Sequence, residues 1–248
     1  MNIQIFNRTL RLSLLPFVLY LLLTALLCSL GFWQLGRSEQ KRQWIEQQQA
    51  ALAQPSLELN QQPNVDAEAL RYRPAEVVGR YDGEHQFLVD NQIVDGKSGY
   101  FVMTPFLIEG QNKSVLVNRG WVPAGSDRRQ LPDVGLSMQL GQVKGRINQF
   151  PSVGIKLKGA EIPSDTWPSV VQVIDHKVLS DKLKYELLDF QIELDEQSAE
   201  GYRRDWKIHI PIPPEKHIAY AVQWFGLALT LSVLFIWMSI RKRSEHTT

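Results

Sequence analysis

The sequence predicts a membrane protein in which two transmembrane helices, one near each end, flank one mostly antiparallel β (α+β) extracytoplasmic domain. Residues 12–33 and residues 218–240 carry no charged side chain. At about 1.5 Å per residue, either run forms a helix of roughly 33 Å, which is enough to cross a hydrocarbon core of about 30 Å. Between these runs, short apolar segments alternate with Gly, Asn and Asp, a pattern that is typical of a sheet domain.

The first uncharged run could instead belong to a cleaved signal peptide or a lipoprotein anchor. Its apolar core is longer than the roughly 7–15 residues of a signal peptide, and no small-x-small cleavage site follows it. In a lipoprotein anchor Cys28 would be the lipidated cysteine, and a small residue usually precedes that cysteine. The residue at this position is Leu27, which is bulky. We therefore expect an uncleaved transmembrane helix over 12–33. A helical extension is expected over 34–54, since the polar segment over 37–54 contains neither Gly nor Pro.

The charges beside the two runs predict the orientation in the membrane. Five basic residues lie on the terminal sides of the runs: Arg8, Arg11, Arg241, Lys242 and Arg243. Because positive residues next to a span stay cytoplasmic, residues 1–11 and 241–248 are predicted to be cytoplasmic. The segment between the two spans is then periplasmic, and the chain lies in the inner membrane of a bacterium. In a mitochondrion the same segment would face the intermembrane space.

Residues 55–217 are predicted to form the β-rich domain, and residues 55–64 read as its linker. The candidate strands are 75–81, 86–94, 100–108, 114–118, 140–148, 170–174, 187–194 and 206–210. Acidic-Gly pairs after the first three strands mark turns. A short helix is expected over 175–183. The second transmembrane helix is then placed over 218–240.

Composition and motif spacing exclude several function classes. A formal net charge of +1 provides no basic field for a nucleic acid. A single cysteine excludes an intramolecular disulfide, a CxxC redox motif and a multi-cysteine metal site. The five histidines show no HxH, HxxxH or HExxH spacing, and GxSxG, Walker A and GxGxxG motifs are absent from the sequence. We therefore predict a protein that is not an enzyme, with a periplasmic enzyme as a distant alternative.

Two clusters of residues are predicted to lie at the same membrane interface, on its outer side. Trp33, Arg37 and Lys41 share one helix face at the end of the first run, because they are spaced i, i+4 and i+8. His217, Tyr220 and Trp224 share a face at the start of the second run, at i, i+3 and i+7. Aromatic belts and snorkelling Arg or Lys side chains are normal at such boundaries. His217 also has the alternative role of an axial haem ligand.

The chain resembles the surfeit locus protein family of cytochrome c oxidase assembly factors, in its bacterial form, over nearly its whole length. The stretches that carry the resemblance, in the family's order, are 31–37 (GFWQLGR) with Lys41, 79–82 (GRYD), 89–91 (VDN), 99–105 (GYFVMTP), 115–123 (VLVNRGWVP) and 217–225 (HIAYAVQWF). The two terminal spans around one large outer domain fit the family as well.

The resemblance implies a non-enzymatic role in respiratory chain biogenesis, as a chaperone that binds haem a and assists its insertion into oxidase subunit I. It implies as partners subunit I, other oxidase assembly factors and the haem a synthase, beside the lipid bilayer. His217 is then the candidate ligand of the haem iron. Tyr220, Trp224 and Trp33 would line the macrocycle, and Arg37 or Lys41 would neutralise a propionate. The alternative is a membrane scaffold that stabilises a subunit I intermediate without binding haem.

The VNRGWVP stretch is a further candidate motif or partner site, formed by Asn118, Arg119, Gly120 and Trp121. Asn and Gly tolerate a positive φ, so the stretch also reads as a turn at the end of a strand. The guanidinium of Arg119 could brace this turn through backbone carbonyls or meet an acidic group on a partner. Trp121 is expected to be packed rather than stacked on haem.

Overall fold

A computed structural model describes residues 2–5, 8–11, 13–62, 64–152, 157–206 and 212–242. In chain order the elements are β1 (Asn2–Ile5), β2 (Arg8–Arg11), α1 (Leu14–Leu52), β3 (Leu57–Glu58), a 3₁₀ turn (Leu59–Gln61), β4 (Pro74–Tyr81), β5 (Phe87–Val94), β6 (Lys97–Ile108), β7 (Lys113–Pro123), β8 (Leu140–Asn148), β9 (Ser169–Val171), α2 (His176–Leu183), β10 (Glu186–Leu194), α3 (Pro214–Ser239) and β11 (Ile240–Lys242). The chain divides into two compact units, Met1–Glu46 with His209–Thr248, and Gln47–Ile208.

Two helices are long and apolar enough to cross a membrane, Leu14–Leu52 and Pro214–Ser239. The first unit contains all of the second helix and the first helix up to Glu46. Helix α1 runs without interruption from Leu14 to Leu52, within the predicted span over 12–33 and its extension over 34–54. Helix α3 begins at Pro214, because proline is favoured at the first helical position, where its missing N–H would have no intrahelical partner. The chain is therefore a two-span membrane protein, as the sequence predicts.

The two helices of this unit pack closely along their apolar runs. The Tyr20 hydroxyl donates a hydrogen bond to Ser232 Oγ at 3.0 Å, and the Tyr20 ring stacks on Phe235 with centroids 4.3 Å apart. A Cβ atom added to Gly31 would lie 2.6 Å from the Phe225 ring. Gly31 thus lets the aromatic ring of one helix rest on the backbone of the other, which is the usual way that small residues bring membrane helices together.

A small sheet joins the segments that flank the helix pair. Strand β2 pairs antiparallel with β1 and with β11, so that Arg8 lies opposite Lys242 and Leu10 opposite Ile240. No strand is predicted here from the sequence, and the pairing of β2 with β11 joins segments that are remote in sequence. The backbone pairing puts the start of α1 and the end of α3 at the same end of the helix pair.

The second unit is built on one eight-stranded mixed sheet in the order β3-β4-β8-β10-β7-β6-β5-β9. Strand β4 pairs with β8 along its length and also, through Gly79–Tyr81, with the end of β6. This additional pairing closes β4, β8, β10, β7 and β6 into a ring. Most pairings are antiparallel, whereas β3–β4, β10–β7 and β5–β9 are parallel. The α+β domain predicted between the spans is thus present, with a mixed sheet.

The observed strands lie close to most of the predicted ones. Strand β6 begins at Lys97, three residues before its predicted start, and β9 ends at Val171, three residues before its predicted end. Strand β7 continues to Pro123, beyond its predicted end at Asn118. The predicted linker over 55–64 contains β3 and the 3₁₀ turn. Of the predicted strand over 206–210, Trp206 lies outside any strand and the other residues lie outside the described part of the chain. Helix α2 begins at His176, where the Asp175 side chain caps it by accepting from the N–H groups of Lys177 and Val178.

The interior of the sheet unit is filled by apolar side chains from the strands and α2. One cluster joins β4, β6, β7, β8 and β10 around Phe106 and Phe190, and a second packs α2 against β5 and β6 around Phe87 and Leu179. All four of these side chains are fully buried. The core therefore lies inside the ring and between the sheet and α2, as expected for a unit that is stabilised by apolar burial.

Candidate functional site

His217 lies in the first turn of α3 and is only 7% exposed. Its Nδ1 atom lies 2.7 Å from Gln34 Oε1 on α1. Its Nε2 atom is buried and has no hydrogen-bond partner among the described residues. Since buried polar atoms are nearly always hydrogen-bonded, an unpaired imidazole nitrogen marks a position where a water, an ion or a ligand could bind.

A second hydrogen bond holds α1 against the first turn of α3. Ser38 is buried, and its hydroxyl donates to the Pro214 carbonyl at 3.1 Å. Ser38 follows Gln34 by one helical turn, and Gly31 precedes Gln34 by three residues, so the three lie on one face of α1. The site of His217 is thus formed by two helices, fixed by polar contacts at Gln34 and Ser38.

The other predicted residues of the juxtamembrane clusters are more accessible. Tyr220 is 46% exposed, Trp33 is 57% exposed and Trp224 is half-buried. The Arg37 guanidinium donates to Gln40 at 3.0 Å, and the Lys41 ammonium lies 5.5 Å from the centre of the Trp44 ring. In the described part of the chain, no hydrogen bond or ring contact joins these side chains to the His217 ring.

Gln34 and Ser38 are not among the site residues predicted from the sequence. Gln34 lies in the GFWQLGR stretch, whose predicted site residues are the aromatic Trp33 and the basic Arg37. The available signal was the i, i+3, i+7 series of Gly31, Gln34 and Ser38 where the uncharged run ends. Small and polar residues at this spacing favour contact with another membrane helix.

The VNRGWVP stretch is buried in the sheet unit. Arg119 is 1% exposed and donates to the carbonyl oxygens of Val134 and Gly135 at 3.0 Å each, to that of Glu200 at 2.6 Å, and to Gln86 Oε1 at 2.9 Å. Its Nη2 atom also lies 3.6 Å from the Glu200 carboxylate. Burial lowers the pKa of the Arg119 guanidinium from its ordinary value. Arg119 therefore braces three chain segments within its own unit.

The neighbours of Arg119 are held in the same way. Asn118 accepts from the Gly120 N–H at 3.1 Å and donates to Gln191 at 3.1 Å. Gly120 has a φ of 109°, which side-chain-bearing residues rarely adopt. A Cβ atom added to Gly120 would lie 2.6 Å from the Arg203 carbonyl oxygen. Trp121 is buried, and its ring nitrogen donates to the Gln92 carbonyl at 3.0 Å. The contacts of this stretch are those of a structural brace.

One further polar cluster in the sheet unit bears on the enzyme alternative. Asp82 accepts from the Tyr185 hydroxyl at 2.7 Å, and its carboxylate lies 2.8 Å from His85 Nδ1. Burial and the bond to Asp82 raise the pKa of Tyr185. Within the described ranges, no Ser, Thr or Cys side chain hydrogen-bonds a histidine ring, and no group of three or more His, Cys, Asp or Glu could hold a metal ion. The cluster thus lacks a base-activated nucleophile among these residues.

The fold and the His217 site define a two-span membrane protein with a mixed β-sheet unit and a polar contact between its helices. The SURF1 family model matches residues 21–229, so the chain belongs to the SURF1 family. It is 26% identical over 224 residues to a SURF1-like protein of Rickettsia felis, covering 85% of this chain and 91% of the relative. It is 23% identical over 238 residues to surfeit locus protein 1 of Gallus gallus, covering 86% and 72% of the two chains.

Proposed function

We propose that this protein is an assembly factor for haem a-containing cytochrome c oxidase, which binds haem a as cargo and assists its insertion into subunit I. The observation that carries this proposal is the buried His217, with Nδ1 held by Gln34 and Nε2 without a partner among the described residues. Membership of the SURF1 family, which the sequence resemblance links to oxidase assembly, supports the same role.

The donor chemistry of the site fits haem. Haem supplies an iron that accepts an imidazole nitrogen as an axial ligand. His217 offers such a nitrogen in a setting with little access for water, and the bond to Gln34 orients its ring. Tyr220 and Trp224 follow on α3 and provide aromatic surface for a macrocycle, while Trp33 adds a third ring on α1. Arg37 and Lys41 provide cations for its propionates.

The two membrane helices suit the transfer of such a cargo. Haem a is largely apolar, and subunit I receives it within the bilayer. A carrier whose ligand lies beside its spans can hold the apolar cargo out of water during this step. We infer that subunit I is the direct partner and that the haem a synthase or another oxidase assembly factor acts before this chain.

We further propose that the protein lies in a bacterial inner membrane with both termini cytoplasmic and the sheet unit periplasmic. Arg8, Arg11, Arg241 and Lys242 support this orientation through the positive-inside rule. The pairing of β2 with β11 supports the placement of both flanks on one side of the membrane, since they lie at one end of the helix pair.

Reporter fusions test this topology. An alkaline phosphatase fusion at Gln111 is expected to be active, because this reporter folds only after export, and a fusion after Thr248 is expected to be inactive. Fusions of a fluorescent protein that folds only in the cytoplasm should give the reverse pattern. Phosphatase activity after Thr248 would contradict the proposed orientation.

Removal of the protein tests the assembly role. Deletion is expected to lower the ratio of haem a to subunit I in purified oxidase, while some respiration remains because insertion continues slowly without a chaperone. The ratio is measured by pyridine haemochrome spectra against subunit I protein in deletion and parent cells. A normal ratio with normal oxidase abundance would contradict the assembly role, and a normal ratio with low abundance would favour a scaffold that binds no haem.

A further inference from the structure

We propose that Gln34 is a positioning residue that fixes His217 in the tautomer protonated on Nδ1, so that the lone pair of Nε2 is the one left for a ligand. The tautomer is a property of the helix pair alone. Its use for haem iron rests on the function proposed above.

The distance between the two side chains identifies the atoms that meet. Gln34 Oε1 lies 2.7 Å from His217 Nδ1, at the short end of the range for an N–H donor and an oxygen acceptor. The structure places the amide oxygen of Gln34, and not its nitrogen, opposite Nδ1. Since an amide oxygen can only accept, Nδ1 carries the proton.

The burial of the other ring nitrogen favours the same tautomer. Nε2 is buried and has no acceptor within hydrogen-bond distance among the described residues. A proton on Nε2 would leave a buried N–H donor unpaired while Nδ1 faced the Gln34 oxygen lone pair to lone pair. The unpaired N–H group at Nε2 and the unpaired acceptor at Nδ1 would each carry the full desolvation cost of an unmade hydrogen bond. The tautomer with Nδ1–H leaves only one acceptor unpaired, which is the least costly state of this ring.

The backbone around Gln34 makes it suited to hold the ring. One turn further along α1, the Ser38 hydroxyl bonds the Pro214 carbonyl at the start of α3, so the residues that precede His217 are attached to the same face. On the other side, Gly31 lets Phe225 approach α1. Gln34 thus acts on His217 from a helix that is fixed on both sides. This arrangement corresponds to the outer-shell partners that orient metal-ligating histidines in other proteins.

The tautomer is measured directly in the haem-free protein. The full chain, labelled with ¹⁵N-histidine, is reconstituted in lipid nanodiscs at about pH 8, where unperturbed histidines are neutral. Long-range ¹H–¹⁵N correlation spectra distinguish protonated from unprotonated ring nitrogens, and His217→Ala identifies the His217 signals by their loss. For the parent protein we expect a protonated Nδ1 and an unprotonated Nε2. The opposite assignment would overturn the proposal.

Variants at Gln34 separate positioning from a merely structural role. Gln34→Leu is expected to shift His217 toward the tautomer with the proton on Nε2, which is the major form of free histidine. Gln34→Glu retains an acceptor and is expected to restore Nδ1–H. Gln43→Leu is the matched control, since Gln43 is an exposed α1 residue that bonds Glu39. Unchanged His217 signals in Gln34→Leu would overturn the proposal, as would a shift of equal size in Gln43→Leu.

Titration with iron protoporphyrin IX distinguishes failure of this inference from failure of the proposed function. Gln34→Leu is expected to weaken binding about ten- to a hundredfold, the usual effect of losing an outer-shell partner, with recovery in Gln34→Glu. If His217→Ala binds as the parent does, the haem role fails while the tautomer result stands. If His217→Ala loses binding and Gln34→Leu does not, Gln34 has no positioning role and the proposed function stands.

Discussion

Arg119→Met is expected to lower the stability of the sheet unit by about 3 kcal/mol, because it leaves several buried acceptors without a donor. In the parent protein the Arg119 guanidinium donates hydrogen bonds to the carbonyl oxygens of Val134, Gly135 and Glu200 and to the side chain of Gln86. Methionine fills most of the same space, so the loss reflects the unmade hydrogen bonds. For a unit of this size the change corresponds to a fall of roughly 6–12 °C in Tm.

The matched control is Arg128→Met. The Arg128 side chain is 50% exposed and pairs with Asp90 at 3.1 Å, so its removal should cost at most about 1 kcal/mol. Both variants and the parent are compared as full chains in detergent, by the thermal midpoint of tryptophan fluorescence. Equal midpoints for Arg119→Met and Arg128→Met would show that the buried network does not stabilise the unit.

Local signals in the sequence predicted where the strands of the sheet unit lie better than they predicted which strands pair with each other. The Asp95-Gly96 and Glu109-Gly110 pairs do join antiparallel neighbours, β5 with β6 and β6 with β7. Asp82-Gly83 looks the same in sequence, but it follows β4, which pairs with β8 and β6. The parallel pairing of β10 with β7 joins distant segments. No turn residue can report a pairing of that kind, so the closed ring could not be predicted.

The candidate site shows the same division between local and distant information. Spacing was sufficient to put His217, Tyr220 and Trp224 on one face of the second span. It could not reveal that Gln34 meets His217, because that contact depends on how two helices at opposite ends of the chain rotate against each other. For Arg119 the sequence left two roles open. The carbonyl groups that it binds come from loops around residues 134 and 200, whose approach is decided by the fold.

The largest functional effect is expected for His217→Ala. The change removes the nitrogen proposed to bind the haem iron and leaves the Ser38–Pro214 contact in place, so the helix pair should persist. We expect the variant, purified from cells that make haem a, to lose most of its bound haem while accumulating in the membrane as the parent does. His176→Ala is the control, since His176 begins α2 in the sheet unit and its ring takes part in no hydrogen bond within the described residues.

The absorption spectrum of these purified proteins, scaled to haem per chain, is the most direct measurement of whether His217 presents haem a. The parent and His176→Ala should share one Soret band and one stoichiometry, and His217→Ala should show neither. A His217→Ala protein with the parent's band position and haem content would contradict the proposed ligand. A parent protein that is itself colourless when it co-purifies with subunit I would show a scaffold in place of a haem carrier.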